Sequence, residues 1–184
     1  MSKLLSKLLQ IVIFPAALIV VSKLIGLYFV ITYFNLEYFL DTKPEEIYSL
    51  QIYFANQTET VLANSVSNLF MLVAIATFTI YFLLKYRLSL LASYNPRTLV
   101  KLNNVNLLSW VNKKGNTFLK VFVWLTFLWL TSIITIADSL NNNTFIWIAT
   151  LAFLVAITST WVLIRTFEIE GEIIYPHNKA SNLY

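Results

Sequence analysis

The chain has 184 residues, 58% hydrophobic and 12% charged, with a net charge of +4 and a mean hydropathy of +0.71. That is about half the charge of a typical soluble domain, too little to keep the surface of a soluble fold polar. Three Gly and four Pro exclude collagen-like and disordered chains, and the lack of cysteine excludes disulfides, thiol catalysis and Cys-ligated metals.

The first element is an apolar run from Ile11 to Phe34, long enough to cross ~30 Å of hydrocarbon as a helix. It follows a basic start with Lys3 and Lys7 and continues past the small residues Ala16 and Ala17, which predicts an uncleaved anchor. The run contains Lys23, and an ionisable residue inside a span is a functional candidate by default. Pro15 is easiest to place in a first helical turn, with the residues before it in the interface. Lys23 then lies roughly 10 Å below the cytoplasmic border. There its ammonium is expected to snorkel or to pair with Glu168 or Glu170 beyond the fourth span. The functional alternative is an anionic ligand or an acid on another subunit.

A loop of residues 35–60 carries Glu37, Asp41, Glu45, Glu46 and Glu59 against Lys43, and reads as solvated and outer. The second span covers residues 61–84. The loop after it holds Lys85, Arg87, Arg97, Lys101, Lys113, Lys114 and Lys120 with no acid, so by the positive-inside rule it and both termini are expected to be cytoplasmic. Within this loop Asn95 and Pro96 make a helix start and Gly115 a stop. Leu99, Leu102, Val105, Leu108 and Val111 recur at helical spacing, which predicts an amphipathic helix over 96–112 on the inner leaflet. Arg97, Lys101, Lys113 and Lys114 are its candidate contacts to anionic lipid, with docking of a cytoplasmic partner as the alternative.

The third span covers 118–137 and the fourth 145–164, joined by a tight turn. Opposite chain directions place Asn64 and Asn68 of the second span at the outer depth of Thr131, Thr135 and Asp138, a candidate outer pocket or a set of interhelical hydrogen bonds. Ala149, Ala152, Ala156 and Thr160 form a small-residue packing stripe. Tyr33, Phe34 and Trp147 are expected as outer interface anchors, and Tyr86, Trp124 and Trp161 as inner ones. In the tail, residues 165–184, the alternation of Phe167, Ile169, Gly171 and Ile173 with Glu168, Glu170 and Glu172 fits a strand or a fraying continuation of the fourth helix.

The fold expected is therefore all-α: one four-span membrane domain of two helical hairpins with a cytoplasmic amphipathic helix. His177 is the single histidine and cannot ligate a haem twice or build a zinc site within one chain. There is no HExxH, GxSxG, P-loop or dinucleotide turn. No cofactor and no nucleic acid is expected. Asn56 and Asn142 begin two sequons, of a kind that chance supplies in an Asn- and Thr-rich chain. The expected role is a non-catalytic subunit or scaffold that meets the bilayer and other membrane subunits or its own copies. A small channel or transporter component using Lys23 or the outer cluster is the alternative. The Ile-, Asn- and Lys-rich composition suggests a bacterial inner or organellar membrane.

Overall fold

A computed structural model describes residues 3–42, 50–94, 97, 100, 102, 104 and 117–174. Among them run four long helices and one β-hairpin: α1 (Lys3–Phe34), β1 (Tyr38–Thr42), β2 (Leu50–Phe54), α2 (Gln57–Tyr94), α3 (Thr117–Leu140) and α4 (Ile146–Ile174). All four helices are long and apolar enough to cross a bilayer, and with that the chain is a multi-pass membrane protein.

Three of the expected spans lie wholly inside one helix and the fourth does so except for Phe145, which precedes α4, and the helices overrun them. α2 has 38 residues, about 57 Å at 1.5 Å per residue, nearly twice the hydrocarbon thickness. Residues 69–84 of α2, 121–137 of α3 and 146–164 of α4 carry no charge, which makes a neutral slab about 24–29 Å thick. At one face of this slab stand Lys85, Lys120, Arg165 and Glu168. At the other stand Lys23 and Asp138, beside the α3–α4 turn. Beyond that turn, the last turns of α1 and the first of α2 project together and carry the hairpin.

The core belongs to α2, α3 and α4. Leu72, Ile75, Leu83, Val121, Trp124, Leu128, Ala152, Ala156 and Leu163 form one buried cluster. Serine and threonine link the helices across it. Thr79 Oγ1 donates to the Trp124 carbonyl (3.3 Å), Ser132 Oγ to the Ala152 carbonyl (2.9 Å) and Trp129 Nε1 to Thr160 Oγ1 (3.0 Å). Such bonds are worth about 0.6–2 kcal/mol in a membrane, where apolar burial gives no drive for helices to associate. Ala149, Ala152 and Ala156 are buried, so the alanine stripe is a packing face.

α1 joins by a seam of mostly small residues, with Pro15, Ser22, Gly26 and Val30 buried among its described side chains. A Cβ on Gly26 would lie 2.8 Å from the Ser67 Cα and 3.0 Å from the Phe70 Cβ, so only glycine permits this crossing. Ser67 Oγ donates to the Lys23 carbonyl across it (2.7 Å). Below, α1 meets the rings of the core: Phe14 lies edge-on to Phe78 (5.6 Å) and Trp124 (5.8 Å).

Four expectations are corrected. Pro15 lies inside α1, so the residues before it belong to the same continuous helix. Trp124 is 3% exposed and stacked on Phe78 at 4.9 Å, a core residue rather than an interface anchor; the aromatic stack takes its ring inward. The loop over residues 35–60, expected to be solvated, is partly a hairpin: β1 and β2 pair antiparallel with Tyr38 opposite Phe54 and Thr42 opposite Leu50. The strand alternative for residues 167–173 fails because α4 continues through Gly171 to Ile174. Arg165 and Glu168 pair at helical spacing (2.8 Å) on that extension.

In the segment between α2 and α3, Arg97, Val100, Leu102 and Asn104 are helical, and Leu102 is buried against Ala92 and Leu88. Lys101, Lys113, Lys114, Glu170 and His177 lie outside the residues whose side chains are described.

Candidate functional site

The polar residues gather at the slab face nearest the hairpin, and local backbone geometry puts them there. α3 ends in a left-handed residue, Asn142 (φ 57°), with Asn143 N–H donating to the Asp138 carbonyl (2.8 Å) and Asn142 N–H to the Ser139 carbonyl (3.0 Å). This is a Schellman closure, and asparagine tolerates the αL conformation it needs. The tight turn that follows returns Thr144 to the bundle and starts α4. Ser65 Oγ accepts from Phe145 N–H (2.9 Å), which satisfies one of the amides left free at a helix start.

Asn68 lies at the centre and is fully buried. Its Nδ2 donates to Asp138 Oδ2 (2.8 Å) and to Thr144 Oγ1 (2.9 Å), so one amide ties α2 to both ends of the α3–α4 turn. Its Oδ1 is buried without a partner among the described residues. Lys23 Nζ stands 3.8 Å from Asp138 Oδ2, with the two side chains 40% and 29% exposed. That separation is an ion pair across a gap rather than a direct hydrogen bond. The set is formally neutral, partly exposed and closed on one side by the core.

Lys23 is therefore displaced from where the sequence puts it. It faces Asp138, not Glu168, whose carboxylate is taken by Arg165. The reason is the register of α1: Gly26 seats on Ser67 and Phe14 on Phe78, and with Pro15 inside the helix the residues before it lie alongside the slab. Lys23 and the outer cluster, expected at opposite depths, form a single site.

Not every member of the expected cluster joins it. Asn64 is half-buried and its side chain makes no hydrogen bond among the described residues. Thr131 and Thr135 are buried, but their hydroxyls return to the carbonyls of Leu128 and Thr131 in their own helix. Conversely, Ser65, Ser67, Gly26 and Thr144 belong to the site and were not singled out in the sequence. Ser22-x3-Gly26 opposite Ala63-x3-Ser67 is a small-residue spacing that marks close helix crossings, and it was the available signal for two of them.

Asn56 caps α2: Glu59 N–H and Thr60 N–H both donate to its carbonyl (3.1 Å each), and its amide donates to Glu59 Oε1. The asparagine of that sequon thus has a structural role. No family model, no curated protein and no solved structure matches the chain, so its function is argued from this geometry alone.

Proposed function

We propose that the protein is a non-catalytic subunit or scaffold of a membrane complex, in a bacterial inner membrane or an organellar one. The observation that carries this reading is the internal neutralisation of Lys23 by Asp138. The strongest candidate for chemistry is spent on holding α1 to α3, while α1 keeps a broad apolar outer face at Val20, Leu24 and Tyr28. Apolar faces of this kind are where spans meet neighbouring subunits or lipid. In this reading both termini are cytoplasmic, the hairpin is outside, and residues 96–112 form the amphipathic helix on the inner leaflet. Arg97, Lys101, Lys113 and Lys114 attract anionic lipid there, about 1 kcal/mol per charge.

Crosslinking in native membranes followed by mass spectrometry tests the role. A stoichiometric hetero-complex that survives mild detergent is the expected result, and a solitary monomer contradicts it. Orientation is tested by labelling Ser109→Cys in this cysteine-free chain with an impermeant reagent. Reaction from the outer side overturns the topology.

A second reading, a small channel or transporter component, is favoured by one observation: the unpartnered Asn68 Oδ1 beside a gapped ion pair is a place where a polar solute can bind. Loss of transport in an Asn68→Leu variant that still assembles would move the function to that reading.

A further inference from the structure

On the outer side of the α1–α2 pair lies an apolar groove of about 360 Å³, lined by Leu18, Val21 and Ile25 of α1 and by Leu69, Val73 and Ala74 of α2. We propose that it is a binding site for one acyl chain of a phospholipid from the leaflet on the hairpin side. The two ends of the helix pair shape it. At Gly26 the backbones come as close as a missing Cβ allows. Toward the other end Phe14, Phe78 and Trp124 stand between the helices and the core, and rings need more room than glycine. Helices pinned at one point and held apart at the next leave a furrow between. Phe29 and Phe70, with ring centres 5.4 Å apart, cap it toward the hairpin.

Its chemistry and depth choose the occupant. The one hydroxyl in the lining, Ser22 Oγ, donates to the Leu18 and Ile19 carbonyls of its own helix, so the groove makes no polar demand. Its α2 wall and the Leu18–Val21 part of its α1 wall lie within the charge-free slab, in the half nearest Lys23, and Ile25 stands just past Lys23 at the slab face, so over most of its length the mouth opens on hydrocarbon. From Leu18 to Ile25 it runs about 10 Å at 1.5 Å per residue, and over that length a helix 10–12 Å across would occupy roughly 800 Å³ or more, well beyond its volume. A linear hydrocarbon chain fits, while a helix from another chain could insert only single side chains.

The test uses the full chain in lipid nanodiscs with a phospholipid carrying a diazirine at mid-chain, and peptide mapping after irradiation. Labelling of the peptides holding Val21, Ile25, Val73 and Ala74 should exceed that of the lipid-exposed α3 face around Leu130 and Ile133 several-fold. Val73→Trp, at an already exposed position, should fill the groove and remove that excess. Val21→Trp from the opposite wall should do the same, which guards against a local distortion in either variant. Equal labelling of the groove and of the α3 face would show bulk lipid contact only and overturn the proposal. So would an unlabelled groove in which Val73→Cys crosslinks to Val21→Cys of a second copy.

Discussion

α1 and the α2–α3–α4 core solve the same problem by different means. The core is held by large side chains that interlock around Trp124 and Leu128 and by interhelical hydrogen bonds from Thr79, Ser132 and Trp129. α1 is held by a file of small residues, one hydroxyl, the rings packed around Phe14 and one ion pair at the end of the slab. The difference teaches that the buried core carries the fold while α1 is strapped along the length of α2. The strap is also where the charge, the groove and the hairpin are found. A change in the core should therefore loosen everything, and a change in the seam should release α1 alone.

The largest effect is expected from Leu128→Ala, which removes a fully buried side chain at the centre of the core. It should cost about 2–5 kcal/mol and lower the melting of all four helices together in detergent. Gly26→Leu comes next. Its Cβ has no room against the Ser67 Cα, and overpacking of this sort costs about 1–3 kcal/mol. The loss should be local: crosslinking between cysteines placed on α1 and α2 should fall, while the melt of the core stays near that of the parent chain. Global unfolding would erase the contrast between strap and core.

Asn68→Leu sharpens the comparison at the point where both regions meet. It deletes two hydrogen bonds and leaves Asp138 and Thr144 without their α2 partner, for about 1–2 kcal/mol at the membrane values for such bonds. Equilibrium unfolding in mixed micelles measures it, and an unchanged midpoint would mean that water replaces the amide freely. Smallest is Lys23→Leu. The pair is partly exposed and 3.8 Å apart, so screening holds its contribution to about 1 kcal/mol or less. Asp138→Asn in the same chain should recover most of that loss in a double-mutant cycle. Glu168→Gln should recover none.

Much of the core was legible because hydropathy alone marks it. Runs of about twenty uncharged residues allow no other structure in a bilayer, and the alanine spacing of α4 announced a packing face. The depth of Lys23 was not legible, for a physical reason. Register along a helix pair is set by a few close contacts, here Gly26 on Ser67 and Phe14 on Phe78, and neither is a signal of average hydropathy. Placing Pro15 in a first turn shifted α1 along its own axis, and Lys23 went with it to the wrong end. Asp138 was expected at the depth of Asn68 and lies within hydrogen-bond distance of it, since it stands two residues from a turn that reverses the chain. Thr144 was passed over because its role depends on the Schellman geometry at Asn142. The hairpin escaped because a two-stranded sheet with mixed polarity has little periodic signature, and its acidic residues read as solvated loop.

The central claim is that Lys23 and Asp138 share one end of the slab and join α1 to α3. The absence of native cysteine makes a paired-cysteine measurement direct. Chains carrying Lys23→Cys with Asp138→Cys, and Lys23→Cys with Glu168→Cys, are treated in native membranes with a short thiol crosslinker and digested between α1 and α3. The account predicts efficient linkage of α1 to α3 in the first chain and none of α1 to α4 in the second. Linkage only in the second would return Lys23 to the opposite end of the bundle and contradict the site described here.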